Sequence, residues 1–402
     1  MTQPALWTRS FCVLTASHLL GALGYASMLL LPLYLTHLGG SRAEVALIMS
    51  SAHLSGLLTR PLVGWCLDRF GRRRALMLGG ALTAIALASV LAIRSVGEVA
   101  LAVRLLFGVG EGFLFTGYFA FAADIIPQER RTEGLALFGV SGLLPLLVNP
   151  IADLTGFQGE GIRPFLASMS ALILLSALLV YILPEARSGE SASEQPEPSA
   201  DNTGALSYLL QARLRPLWWS TTAFAGAVAT FMTFASVVCQ SRGMSLPTAP
   251  WLTYVAGALC ARLIGAKLPE RVGPARLVAP SLLLYGLALL TSALTVSELG
   301  MLIAGGLAGV SHGYCFPVLT SLIVSAVDER YRGRALAMFT GLWGGAAILF
   351  APLGGWIADH WSDEHMLGVF GLCLLLSALY ATPARLTQPS APILLQTKER
   401  LT

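Results

Sequence analysis

Long apolar runs separated by short polar breaks dominate the chain. Twelve such runs fall at 11–36, 43–67, 75–94, 97–123, 134–155, 163–184, 216–240, 247–269, 275–296, 298–327, 333–358 and 364–384. Each is near the roughly 20 residues that a bilayer-spanning helix needs. The pattern predicts an all-α polytopic membrane protein of twelve transmembrane helices. Most breaks are too short for a folded extramembrane domain. One hydrophilic segment, 185–215, contains SGESASEQPEPSADNTG, and its Ser, Glu and Pro content reads as a flexible tether. Residues 206–214 are expected to add a short surface helix. The tether splits the chain into six-helix bundles over 1–184 and 216–402, the second ending in a short polar tail.

Composition agrees with a lipid solvent. Hydrophobic residues make up 55% of the chain and charged residues 12%, with mean hydropathy +0.69; soluble proteins carry about 25% charged residues. A net charge of +4 is too small to suggest nucleic acid as a partner. The six cysteines lie in or beside apolar runs with no CxxC spacing, so neither a disulfide framework nor a zinc site is expected. The first run is too long for a signal-peptide core and lacks a cleavage site, so it reads as the first membrane helix.

The placement of basic residues sets the orientation. With the N-terminus inside, the inner face collects Arg9, Arg69, Arg72, Arg73, Arg74, Arg130, Arg131, Arg187, Arg213, Arg215, Lys267, Arg271, Arg276, Arg330, Arg332, Arg334, Arg385, Lys398 and Arg400. The outer face holds only Arg42, Arg94, Arg163 and Arg242, and Arg60, Arg104 and Arg262 lie within helices. Both termini are therefore expected in the cytoplasm of a bacterial-type inner membrane.

The two halves also repeat each other. At an offset of 202, Arg60 matches Arg262, Asp68 matches Glu270, Arg69 matches Arg271, Gly71 matches Gly273 and Arg74 matches Arg276; at 201, GVGEGF (108–113) matches GVSHGY (309–314). Parallel six-helix repeats with a site between them at mid-membrane are one plan for secondary transporters.

The loop after the second helix reads Gly64-Trp65-Cys66-Leu67-Asp68-Arg69-Phe70-Gly71-Arg72-Arg73-Arg74, with a degenerate copy from Gly265 to Gly273. It resembles the G-x-L-x-D-R-x-G-R-R/K motif of the major facilitator superfamily, and the resemblance covers nearly the whole chain. Arg104 to Gly112 resembles the R-x-x-x-G-x-G motif of that superfamily's twelve-helix drug/metabolite:proton antiporters. Helix 5 departs from the branch: its Pro145 is displaced and the closing glycine pair is absent. The resemblance implies a secondary transporter rather than an enzyme. It also implies cavity-lining helices 1, 4, 7 and 10, and lipid-facing helices 3, 6, 9 and 12.

Within that frame, Asp68 is expected to accept charge-assisted hydrogen bonds from Arg72, Arg332 or Arg334. Gly64 is expected to let helices 2 and 11 approach. With Arg69 and Gly71 they would form a latch at the cytoplasmic gate. The intramembrane ionisable residues follow the expected partition, since the cores of helices 3, 6, 9 and 12 hold none. Such residues usually face a cavity or a partner. Glu111 lies about 21 Å from the outer end of helix 4 at 1.5 Å per residue, near mid-membrane, and is the leading candidate proton carrier. Arg104, His312 (the repeat mate of Glu111), His18 and His53 are the further candidates for proton coupling. Tyr25, Phe115, Tyr118, Phe224, Phe231, Phe234, Tyr314, Phe316 and Trp343 fall on cavity-type helices and suit an amphipathic or ring-containing ligand.

The expected function is proton-coupled efflux of a small organic substrate, drug-like or a metabolite such as a siderophore, by alternating access. No G-x-x-x-x-G-K-[ST] loop suggests ATP use, and neither cofactor nor metal is expected. The alternative is proton-coupled import of an organic anion or nutrient, with Arg104 and Arg262 as anion anchors. The expected partners are the substrate, protons and the lipid bilayer, for a monomer.

Overall fold

The computed structural model describes residues 5–184 and 207–387, which are helical with no strand. Most of the expected tether and the polar tail lie outside the described residues. Twelve helices cross in alternating directions. The first six are α1 (Arg9–His37), α2 (Arg42–Phe70), α3 (Arg72–Ala92), α4 (Glu98–Ile125), α5 (Glu133–Leu154) and α6 (Gly159–Tyr181). The second six are α7 (Ala212–Ser241), α8 (Pro250–Ile264), α9 (Ala275–Leu294), α10 (Glu298–Ser325), α11 (Arg332–His360) and α12 (Asp363–Tyr380). The face carrying Arg9, Phe70 and Tyr181 is the terminal face, and the opposite one is the distal face. In the expected surface-helix region, residues 207–209 are helical and Ala212–Leu214 form a 3₁₀ turn that runs into α7.

Ten of these helices are long and apolar enough to span a bilayer by composition alone. The two that fall short, α2 and α8, are repeat mates. α2 spends its length on Ser50, Ser51, His53, Ser55, Thr59 and Arg60. α8 is cut short by a π turn at Cys260–Ile264. A helix that faces protein along part of its surface can carry the polarity of α2.

Packing repeats with the sequence. In the first half α1 packs on α6, α2 on α4, and α3 on α4 and α6; in the second, α7 packs on α12, α8 on α10, and α9 on α10 and α12. Glycines at equivalent positions make the tightest crossings. A Cβ on Gly108 would collide with the Ala52 carbonyl of α2, and one on its mate Gly309 with the Tyr254 carbonyl of α8. Gly71 and Gly273, also mates, turn the chain with φ of 87° and 88°, where a side chain is strained.

Three helices are broken where the sequence suggested continuous ones. α1 tightens to 3₁₀ at Ser27–Leu30 ahead of Pro32. α5 opens after Val140 and resumes through a 3₁₀ turn at Leu144–Leu147 around Pro145. The third is the π turn of α8. Proline removes a donor, and each break leaves backbone groups that only a protein or water neighbour can satisfy.

The glycine crossings make a direct prediction. Gly108→Val should destabilise the detergent-purified protein by about 1–3 kcal/mol through overpacking. Gly368→Ala, with nothing within 4 Å of the added methyl, should leave thermal unfolding unchanged or shift it slightly upward. Equal unfolding temperatures for both variants would contradict this account of the α2–α4 crossing.

Candidate functional site

The break in α5 places Ser141 beside α1, and a polar chain begins there. Ser141 Oγ donates to the Phe138 carbonyl at 2.5 Å and lies 2.7 Å from His18 Nδ1. With its only hydrogen committed, the serine must accept from Nδ1–H. The other ring nitrogen is hydrogen-bonded to the Tyr25 hydroxyl at 3.2 Å. His18 is 1% exposed and stacks on Phe138 at 4.6 Å. It thus ties α1 to α5 with both nitrogens engaged. The Tyr25 phenol in turn lies within electrostatic reach of Glu111.

On α4, Arg104 is 4% exposed, donates from Nη2 to the Met49 carbonyl at 2.9 Å and stacks over Phe107. Its Nε and Nη1 have no hydrogen-bond partner. The Glu111 carboxyl, one face-turn further along, is partly buried and has neither a hydrogen bond nor an ion pair among the described residues. Arg104 interacts electrostatically with both Glu111 and His53, and His53 is exposed on α2. The first half therefore holds a series His18–Tyr25–Glu111–Arg104–His53 in which the carboxyl is near a cation but not locked to it. A carboxyl in that position can take up and release a proton without first breaking a salt bridge.

The second half is aromatic. His312 Nδ1 is hydrogen-bonded to the Tyr254 hydroxyl. The His312 ring stacks on Trp343 at 5.8 Å and 25°, with Phe316 and Phe224 completing the cluster. Several expected cavity aromatics are packing residues instead. Phe231 and Phe234 are fully buried because α7 is enclosed by α11, α12 and α9; Phe231 stacks on Tyr254. Tyr118 bonds Ser17 and Ser176, holding α4 to α1 and α6. Phe224 is buried but touches the cluster by its edge, and Tyr314 sets its hydroxyl against Gly265 at the end of α8. Phe115 is 52% exposed, and Phe316 and Trp343 are partly so.

The sequence matches the family profile described as Major Facilitator Superfamily over residues 13–268 and again over 240–400. The chain belongs to that superfamily. It is a transporter, not an enzyme. Relatives include an uncharacterised MFS-type transporter of Salmonella typhimurium, 24% identical over 87% of this chain and 90% of that one. Multidrug resistance protein MdtG of Rahnella is 22% identical over 94% of both. Multidrug resistance protein 2 of Bacillus subtilis is 28% identical, but the match spans only 38% of each chain. Among solved structures, the nucleoside transporter NupG superposes with a TM-score of 0.77 at 15% identity, over 95% of this chain and all of that one. A bacterial homologue of the lysosomal transporter Spinster gives 0.78 at 14%, over 97% of this chain and all of that one. At these identities the structures speak for the fold alone.

The two faces of the helix assembly differ in how the halves meet. At the distal face Asp359, near the end of α11, accepts from the backbone N–H groups of Arg42 and Ala43 at 2.8 Å each, in the first turn of α2. The Arg42 guanidinium forks onto Asp363 at 2.9 Å, and a Cβ on Gly355 would come 2.5 Å from the Arg42 carbonyl. The other half answers in kind: Asp153, near the end of α5, accepts from Thr248 N at 3.1 Å and Oγ1 at 2.7 Å, just before α8 begins. Each carboxylate meets the donor-rich start of a helix from the opposite half.

Toward the terminal face these contacts end. Arg60 still reaches Thr340 of α11 at 3.1 Å. Beyond it, a Cβ on Gly64 or Gly333 would meet nothing within 4 Å. The close approach expected at Gly64 is therefore absent, because α2 and α11 have diverged there. Asp68 pairs with Arg72 at 3.3 Å and stays 82% exposed at its side chain. It pairs with neither Arg332, which meets Glu329 at 3.7 Å, nor Arg334. Arg72 also bonds the Leu67 carbonyl and Asp124 of α4, so the motif ties α2 to α4 within one half. Arg69 is exposed.

Asp153, Asp359, Asp363, Thr248, Ser141 and Thr340 did not emerge from the sequence as site residues. The available signal was positional: Asp153 and Asp359 are acids at the distal ends of repeat-related helices. The buried, free thiol of Cys239 lies in α7 near this seal. With the other five cysteines replaced, Asp153→Asn/Asp359→Asn should raise labelling of Cys239 by a membrane-impermeant maleimide added at the distal face. Unchanged labelling would show that the carboxylates do not hold the seal.

Proposed function

We propose that this major facilitator protein exports a small organic substrate from the cytoplasm across a bacterial-type inner membrane by alternating access, in exchange for protons. In this reading the terminal face, with both termini, is cytoplasmic, as the basic residues suggest, and the described conformation is open to that side. The reading rests chiefly on Glu111: a carboxyl near mid-membrane, partly buried, without a fixed partner and within electrostatic reach of Arg104. The multidrug resistance names of several relatives favour efflux. The Arg104-to-Gly112 motif favours coupling to protons.

Outside protons would reach Glu111 when the distal seal opens, and substrate would reach the cavity when the terminal face opens. Proton and substrate then occupy linked sites in opposite conformations, which is the minimum an exchanger needs. His53, exposed and within electrostatic reach of Arg104, would relay protons in this reading. His18 acts through Tyr25 by fixing where its hydroxyl points.

Glu111 can be tested before any substrate is known. Infrared difference spectra of purified protein, perfused from acid to alkaline buffer, should show a protonated carboxyl band that disappears with rising pH and is missing in Glu111→Gln. A band that persists in the variant would remove Glu111 as the carrier. Everted vesicles with an acidic lumen should then accumulate substrate; accumulation only in right-side-out vesicles energised by an acidic outside would make the protein an importer.

A further inference from the structure

Arg262 and Arg60 are repeat mates with opposite fates. Arg60 has its guanidinium satisfied by the Thr340 hydroxyl and carbonyl. Arg262 sits in the π turn of α8, which resets the side-chain phase of the helix at that point. Its Nη1 comes 3.3 Å from where a Cβ on Gly139 of α5 would stand, at the position equivalent to Thr340, yet its buried Nε has no hydrogen-bond partner among the described residues. No carboxylate pairs with it among the described residues; its electrostatic neighbours are Tyr254 and His312. In the first half Arg104 has Glu111 within reach. Arg262 is thus a cation inside the membrane with no compensating anion among the described residues, an arrangement that favours the arrival of an anionic partner.

The wall beside it is flat and also short of acceptors. His312 links the two features: it is in electrostatic reach of Arg262, and its ring stacks on Trp343. Phe316 meets Trp343 at 5.1 Å. Among the described residues the buried Trp343 indole N–H has no partner, and open space lies beside Gly344 and Gly345 on the same helix. Arginine and tryptophan side chains donate hydrogen bonds and cannot accept them. A ligand matching this surface brings acceptors, a negative charge and a ring face. An organic cation would find no carboxylate on this side.

We propose that the second half recognises the substrate, and that the substrate is a ring-bearing organic anion whose carboxylate or equivalent group docks on Arg262 while its ring lies against Trp343 and Phe316. This rests on the reading of a central transport site and specifies its substrate class.

Equilibrium dialysis of the purified full chain with 1-naphthoate, and with 1-naphthylmethylammonium as the cation of the same shape, tests it. Saturable binding of naphthoate and not of the ammonium compound is expected. Arg262→Gln should weaken naphthoate binding about tenfold or more, the equivalent of roughly 1.4 kcal/mol, while Arg262→Lys recovers part of the loss. Trp343→Leu should weaken naphthoate but leave cyclohexanecarboxylate unaffected. Thermal unfolding without ligand identifies a misfolded variant, for which the lysine variant and the cation comparison still decide. Equal binding of both naphthyl compounds, no saturable naphthoate binding, or binding indifferent to Arg262 would overturn the assignment. Naphthoate binding that needs Arg262, without any pH-driven flux in vesicles, would support the anion site and refute the proton-exchange reading instead.

Discussion

In our account two carboxylates, one accepting from the first turn of α2 and one from Thr248 just before α8, each in the opposite half, hold the distal face shut, and the rest of the arrangement follows from that closure. Asp359 on α2 and Asp153 at the start of α8 use backbone donors that no helix can satisfy for itself. With the halves joined there, the approach is open toward the terminal face, where a Cβ on Gly64 or Gly333 would meet nothing within 4 Å. A negative group at a helix start is worth about 0.3–1 kcal/mol when exposed and up to about 2 when partly buried. Two such contacts give a bias of a few kcal/mol. Reversing a 1:99 population takes about 5.5 kcal/mol, so the seal is strong enough to set a resting state and weak enough for ligands to undo.

The halves share a scaffold and differ in chemistry. The Gly108 and Gly309 crossings and the Gly71 and Gly273 turns are common to both. The first half adds a titratable series around Glu111, whereas the second adds rings and an uncompensated arginine. In our account this asymmetry separates proton binding from substrate recognition. Two different ligands can then act on one rocking motion without sharing atoms.

Much of this was legible in the chain itself. Twelve apolar runs correspond to twelve helices, with ends displaced by a few residues except at α8. The repeat of GVGEGF and GVSHGY becomes a pair of equivalent helix crossings. Helix breaks were less legible, because Pro145 signals a disturbance but not the 3₁₀ turn that brings Ser141 to His18. The π turn at Arg262 has no local sequence mark. Apolar faces were the hardest to read: in lipid, both the outer surface and the packed interior are hydrophobic, so Phe231 and Phe316 look alike in sequence and only packing separates them. The distal aspartates escaped notice since acids at helix ends also serve as ordinary solvated residues.

The central claim is that the two faces open reciprocally. Pulsed electron–electron distance measurements on cysteine-substituted protein in lipid nanodiscs test it most directly. One label pair would sit at Arg69 and Glu329 on the terminal face, and another at Ser95 and Val296 on the distal face, both exposed sites. Acidification should lengthen the distal distances and shorten the terminal ones in the same samples. Terminal and distal distances that move independently, or do not respond to protons at all, would contradict the account.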